Sequence, residues 1–481
     1  MKYITFFVLC SFFVLEHTMA QVVTVSEEFV LRTDMSYDLI GKLKGQYLVF
    51  QNKSNYKFGV QAYDDDLKMT WEKEVELDKR RPEVLGLVNK ANHFYVLYQY
   101  RLKGQSILKA HQYDAGANLV DSATVINLGY IFADRQYDIV PSEDRSKVLI
   151  FNRQSSGEIS VYAFDVEEMT FLWETNFQPE NLVFSRDPHQ IVVTNEGEMY
   201  YVVLKNNYRS RSKDHLYEIY YQDGSLKTVR KTEVSLGDKL TNDVYFEYDN
   251  LNDNLVAGGL WGEKNLAWAK GYFLLKAPKD NMDDHEFYFH EFDEELVSSF
   301  LERDAPSKNK GIFETSVQEI VLRRDGGILM VTERVKTNQR NYGANTAGYY
   351  SRAVRNDLIG MIDYYYEHML VVSIHPDGEQ HWSNVLRKKQ YSQDDGAVFS
   401  SYFLQKTPTS LHFVFNDEVK EENTVSEYII EGSGKFERHS VMSTENQKLR
   451  LRFRDAIQTG AGEMLIPSER RNRLKLVRVK Y

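Results

Sequence analysis

The 481 residues contain a single cysteine, Cys10, and it lies in a segment that reads as removable. Lys2 gives a short positive start. Ile4 to Leu15 is an apolar run rich in Phe, Val and Leu, and Thr18-Met19-Ala20 satisfies the small-residue rule of a secretory cleavage site. Cleavage after Ala20 takes the only thiol with it. Residues 21–481 then offer no disulfide, no cysteine nucleophile and no thiolate metal ligand. Cys10 is not preceded by the small residues of a lipoprotein signal, so it is not read as a lipid anchor. Long hydrophobic runs are missing too. The N-terminal one falls short of the ~20 apolar residues that cross a bilayer, and charges interrupt every later one. A retained N-terminal anchor is the weaker alternative, opposed by Glu16 and His17. The expectation is an exported chain, periplasmic or at the cell surface, with no membrane span after cleavage.

Basic charge is in short supply. Lys and Arg number 59 against 70 Asp and Glu, a net charge of −11, which argues against a nucleic-acid partner. No Gly-x-Ser-x-Gly elbow, phosphate loop or dinucleotide fingerprint occurs. His285-Glu286 and His290 come near a zinc-protease motif. Their spacing of five within a strand-like run points the two rings to opposite faces. Asp64-Asp65-Asp66 and Asp249 to Asn254 are acidic hairpin turns without the Gly and terminal Glu of a calcium loop. No metal site and no cofactor is expected. Sustained helical periodicity is nearly absent. Only Glu294 to Arg303 places Leu296, Val297, Phe300 and Leu301 on one face.

What the sequence does hold is strands. Tyr47 to Phe50, His93 to Tyr98, Lys147 to Phe151 and Glu198 to Leu204 are short β-branched and aromatic runs, each preceded by a polar or Gly-containing turn. They recur as a unit. A turn residue followed four positions later by Trp or a substitute marks its last hairpin: Leu67 with Trp71, Gly116 with Val120, Met169 with Trp173, Gly224 with Thr228, Gly378 with Trp382, Gly434 with Arg438. Four antiparallel strands in ~40–50 residues is the arithmetic of a propeller blade. The fold class is therefore all-β, a single β-propeller over 21–481. Its blades fall at about 36–77, 82–126, 136–177, 187–237, 241–293, 313–390, 397–443 and 449–481, eight in all, with seven as the alternative count. The last has room for only three strands. Val22 to Leu31 supplies a fourth, which closes the ring and removes two open sheet edges. A pair of β-sandwiches is the competing architecture, but no Pro/Gly/Ser-rich linker marks a boundary for it.

The stretch Asp363-Tyr-Tyr-Tyr-Glu-His-Met-Leu-Val-Val, then Asp377-Gly378, Trp382, Lys388-Lys389-Gln390, and Phe399 to Tyr402 with Phe413 to Asp417, resembles a set of uncharacterised, signal-peptide-bearing β-propeller proteins of Gram-negative bacteria. The resemblance implies the fold and no activity. Ala163-Phe164-Asp165 to Trp173 is similar to the tryptophan-docking motif of quinoprotein propellers, although Glu168-Met169 stands where that motif has Thr-Gly. This likeness implies eight blades docked one on the next, and it does not imply a quinone.

In a propeller, the connection into each innermost strand and the loop between second and third strands share one face around the channel. Arg135, Asp138, Arg186, Asp187 and Arg454 lie in such entry segments, where they are able to hold a carboxylate, a sugar or a partner side chain, or to pair with one another between blades. Long segments fall on the same face. Residues 335–366 read as an inserted loop with Tyr349, Tyr350, Arg352 and Arg355 as its likeliest contacts; 205–214 is basic; 259–271 carries Trp261 and Trp268. Tyr and Trp beside Arg is the composition of protein interfaces and of sugar-stacking surfaces. These features point to a cell-envelope binding or scaffold protein that presents its loops to a protein or glycan. The alternative is a carbohydrate-active enzyme. It requires two channel carboxylates ~5–10 Å apart, with Asp38, Asp138, Asp187, Glu314 and Asp455 available. Redox work with a quinone ranks last. Mass spectrometry of the mature protein is expected to find Gln21 at the N-terminus; a chain still starting at Met1 in export-competent cells would refute the cleavage site.

Overall fold

Middle strands in this chain read as unbroken apolar runs, while outer strands alternate. The computed structural model explains the difference. It describes residues 21–481 except 33–34, 79–80, 132–134, 208–213, 265, 303–310, 341–360 and 420–422, so the segment expected to be a signal lies outside the described residues. Eight four-stranded antiparallel sheets form a ring. Each is sandwiched between two neighbours. A middle strand such as Gln46–Lys53 is therefore covered on both faces, and Tyr47 to Gln51 are all buried. The outermost strand of the same blade, Met69–Val75, is covered less and keeps Met69, Thr70, Glu72 and Glu74 exposed.

Blade 1 runs from channel to rim as Ser36–Leu43, Gln46–Lys53, Lys57–Tyr63 and Met69–Val75. Blades 2, 3, 4 and 7 repeat that order over 83–130, 138–177, 189–235 and 403–443. Blade 5 comprises Leu240–Asp249, Asn254–Gly262, Gly271–Pro278 and Glu286–Glu291. After it comes the helix Glu294–Leu301, capped by the Asp293 carboxylate, which accepts from the Leu296 N–H at 2.7 Å. Blade 6 comprises Thr315–Leu322, Ile328–Arg340, Met361–Ile374 and Gln380–Leu386. Its second and third strands stay paired as far as Arg340 and Met361, and Gln390–Gln393 adds a further strand beside Asp363–Tyr366. The ends of the expected insertion, 335–340 and 361–366, are thus ladder rather than loop.

Adjacent blades are held by two devices. The first is aromatic. Trp173 of blade 3 lies against Gly224 in the outer turn of blade 4, and Trp382 of blade 6 against Gly434 in that of blade 7. A Cβ on either glycine would stand 2.5 or 2.6 Å from the indole, and both glycines hold positive φ. The Trp173 and Trp382 indole N–H groups donate to the carbonyls of Gly197 and Gly432, each at 3.1 Å. This is the docking role implied for Trp173. The second device is an amide that imitates backbone. Gln190 donates to the Phe246 carbonyl and accepts from the Phe246 N–H, and Gln458 does the same with Lys406. Each gives partners to an inner edge that has no strand beside it.

Blade 8 is built from Ile457–Gly460, Glu463–Arg470 and Arg473–Lys480, and its fourth strand is Val22–Val25. Val22 pairs with Lys480 and Val25 with Val477, and Phe29–Val30 pairs again with Leu474 and Arg473. Glu427 of blade 7, fully buried, gathers both ends of the described chain: Gln21 Nε2 donates to its Oε1, and Tyr481 Oη donates to its Oε2 at 2.7 Å. Deleting residues 21–30 uncovers one edge of Arg473–Lys480 and opens the ring. The truncated protein is expected to lose its single cooperative melting transition at the wild-type temperature. An unchanged thermal melt would refute closure by this strand.

Candidate functional site

Strand direction decides which loops share a face. Every innermost strand begins, and every second strand ends, on the side called here the loop face. Four cavities open there. The largest, about 1320 Å³, lies between blades 1 and 2 and reaches Arg135. A second, about 590 Å³, sits where the ring closes and is lined by Tyr37, Asp38, Arg452, Arg454 and Asp455. The third, about 370 Å³, holds Trp268 and Phe313, and the fourth, about 220 Å³, holds Arg334, Lys336 and Tyr365.

Not every residue singled out from the sequence reaches these openings. Tyr349, Tyr350, Arg352 and Arg355 lie outside the described residues. Trp261 is not on the surface. It is 2% exposed in the strand Asn254–Gly262, and its indole donates to the carbonyls of Tyr272 and His290 at 3.1 and 3.0 Å. Trp268 is half-buried against Phe313, ring centroids 4.6 Å apart. Arg186 and Asp187 clasp each other through two hydrogen bonds of 2.8 and 2.7 Å, and Asp187 is 1% exposed. Burial opposes its charge, but Arg186 and the Val183 N–H still hold its carboxyl below the ordinary range. Asp138 pairs with Arg153 at 2.6 Å. Both groups therefore serve as local ion pairs. Arg454 is exposed, its guanidinium 4.7 Å above the Tyr366 ring.

The carboxylates weighed for hydrolysis are each engaged by neighbours of their own. Glu314 is held by Arg334 and Lys336 at 3.4 and 3.0 Å, in the 220 Å³ cavity. At Asp38, burial, then the Asp455 charge, pushes the carboxyl up. Asp455 is hydrogen-bonded to Arg452. Among the described residues no three His, Asp or Glu side chains converge as a metal site. The His285 ring meets the Met282 carbonyl, and His290 the Gly378 carbonyl.

Two groups of charges escaped the sequence. Lys388 and Glu333 form an ion pair whose side chains are both wholly buried at the junction of blades 6 and 7, with Ser401 Oγ donating to Glu333 at 2.6 Å and Lys388 donating to Gln390 at 3.0 Å. Desolvation pushes the Lys388 ammonium down, against the pull of Glu333. A charged residue inside an apolar run, Glu333 after Ile328 to Thr332, was the available signal. The second group lies on the innermost strands of blades 5 to 7: Glu247, Glu319 and Lys406, with Lys406 3.9 Å from Glu319.

Glu247 supplies a pH test. An ordinary glutamate titrates near 4.5, and Glu247 is lifted to about 7 by burial first, with Glu143 and Glu319 adding to the effect and Lys406 opposing it. A raised carboxyl means that the folded state prefers the protonated form. The group leaves stability untouched below the unfolded value and destabilises the fold as pH rises towards and through the folded one. Glu247→Gln is expected to melt with the wild type near about pH 4 and several degrees above it near about pH 8. Equal offsets at both pH values would overturn the assignment.

No family model matches the chain, and no curated protein matches it in sequence. Solved structures similar to it include the Dos1 propeller, at 8% identity and a TM-score of 0.43, with 95% of this chain and 94% of that one covered. The polysaccharide lyase Uly1 matches at 8% identity and a TM-score of 0.39, covering 95% and 99%. Dipeptidyl peptidase 4 of Porphyromonas gingivalis matches at 8% identity and a TM-score of 0.46, covering 91% and 56%. At such low identity none of them speaks to what this chain binds or turns over.

Proposed function

We propose that the chain is an exported binding scaffold of the cell envelope, and that it holds a protein or glycan on the loop face of its propeller. The observation that carries this reading is that four cavities open on the same side, where the innermost strands begin. Concavity on one face, formed by loops on a rigid scaffold, is where binding sites concentrate. The long hairpin of blade 6 supports it. Beyond Thr315, the last innermost-strand residue paired with it, the second strand continues on the loop face through Val335–Arg340, still paired with the third, and residues 341–360 follow in the sequence. The same segment carries the proposed contacts Tyr349, Tyr350, Arg352 and Arg355. Hydrolysis by paired carboxylates has less support: Arg452 holds Asp455, Arg186 holds Asp187, and Arg334 and Lys336 hold Glu314.

Two sets of substitutions test the face. Lys103→Glu, Tyr365→Ala and Arg454→Glu together alter the loop face; Asp66→Lys and Lys435→Glu together alter the opposite one. Immobilised protein is exposed to glycan and protein fractions of the cell envelope. Loss of retention by the first set alone is the expected result. Loss by the second set alone would overturn the proposal.

A further inference from the structure

The cleft between blades 1 and 2 has a charge that its chain does not. The sequence carries a net −11, yet Lys53, Arg81, Arg101, Lys103 and Arg135 line this cavity against only Asp78 and Glu83. Both acids are already engaged by the protein. Asp78 accepts from Tyr98 Oη at 2.8 Å and from Lys109 at 2.6 Å, and Glu83 accepts from Gln99. Lys53 is paired with Glu72, and Arg101 is likewise engaged. Arg81, Lys103 and Arg135 have no carboxylate partner among the described residues, and Arg81 and Lys103 are exposed. Three such cations in one cleft of an acidic protein concentrate anions.

The remaining lining is neutral and suited to hydroxyls. Asn52, Asn55, Gln99 and Ser106 offer amide and hydroxyl groups. Two tyrosines add ring faces. Tyr100 is half-buried in the wall, and Tyr56 is 54% exposed at the rim. Tyr56 and Asn55 both sit at positive φ, 58° and 61°, in the short turn between the second and third strands of blade 1. That conformation is unfavourable for a bulky side chain and persists where the surroundings impose it, often at binding sites. The volume, about 1320 Å³, exceeds the ~300–1,000 Å³ typical of a pocket for one small ligand.

Anionic groups, many hydroxyls, flat apolar ring faces and extended length are the attributes of one ligand class. We propose that this cleft binds an acidic oligosaccharide, a chain of sugars bearing carboxylate or sulfate groups. Arg81, Lys103 and Arg135 hold the anions, and Tyr56 stacks against a sugar ring. The inference rests on the loop face being the binding face.

The test is calorimetric titration of the mature protein with polygalacturonate, heparin and neutral dextran at low and high salt. The expected result is saturable binding of polygalacturonate or heparin, weakened by salt, with dextran unbound; whichever binds tells carboxylate from sulfate. The double variant Lys103→Gln/Arg135→Gln is expected to lose at least about tenfold in affinity, which corresponds to about 1.4 kcal/mol. Tyr56→Gly removes the ring and relieves the strained backbone, so it is expected to bind more weakly while melting no lower than the wild type. Binding of neither acidic polymer, equal binding of dextran, or undiminished affinity in the double variant would each overturn the inference. An envelope ligand that is lost with the loop-face variants but not displaced by polygalacturonate or heparin overturns it too, and leaves the loop-face reading standing. Acidic polymers that bind the cleft while envelope ligands depend only on the opposite face sink that broader reading instead.

Discussion

A ring of separate sheets shares no continuous ladder of hydrogen bonds, so its integrity depends on how the first blade meets the last. Here one composite blade does that work. Three of its strands come from the C-terminal end of the chain, and Val22–Val25 from the other end completes it. Arg478 strengthens the seam, donating to Thr24 Oγ1 at 3.0 Å and reaching Asp65 of blade 1 at 3.4 Å. Asp65 in turn holds Lys42, 2.9 Å away, on the innermost strand of that blade. The docking tryptophans and the glutamine amides then act between sheets whose positions are already constrained round a closed circle.

Much of this was legible in the residues. The repeat of turn residue and aromatic fixed the register of the blades because one contact imposes both partners: a bulky ring on one sheet and a glycine or left-handed turn on the next. The missing fourth strand of the last blade could be read as arithmetic. The split sixth blade was harder. Its second and third strands extend as a ladder well past the channel strand, and their Tyr-, Asn- and Arg-rich ends resemble a loop by composition.

The site was far less legible, for two physical reasons. Glycines misled where they mark close packing rather than a turn. Gly259 opens the segment 259–271 that carries Trp261, yet a Cβ on it would stand 2.2 Å from Phe273, and one on the preceding Gly258 2.8 Å from Ile320, so both are strand residues pressed by neighbours. Charges are ambiguous because pairing is a property of space. Arg186 and Asp187 read from the sequence either as an anion site or as ion-paired groups, and in the fold they hydrogen-bond each other. The cations of the blade 1–2 cleft come from Lys53 to Arg135, with no spacing that sets them apart until the ring folds.

The closing strand has a consequence in time as well as in space. Thr24 and Arg478 touch although 454 positions separate them in the chain. Residues 22–30 are synthesised long before their partner, Arg473–Lys480. Blades 1 to 7 have mostly local hairpins to form and are free to assemble as the chain emerges, but the eighth must wait until its three later strands, Ile457 to Lys480, have been made. Contacts of such long range form slowly. Until they do, two bare sheet edges remain exposed, and that interval is when this molecule is most open to wrong pairing with a second copy.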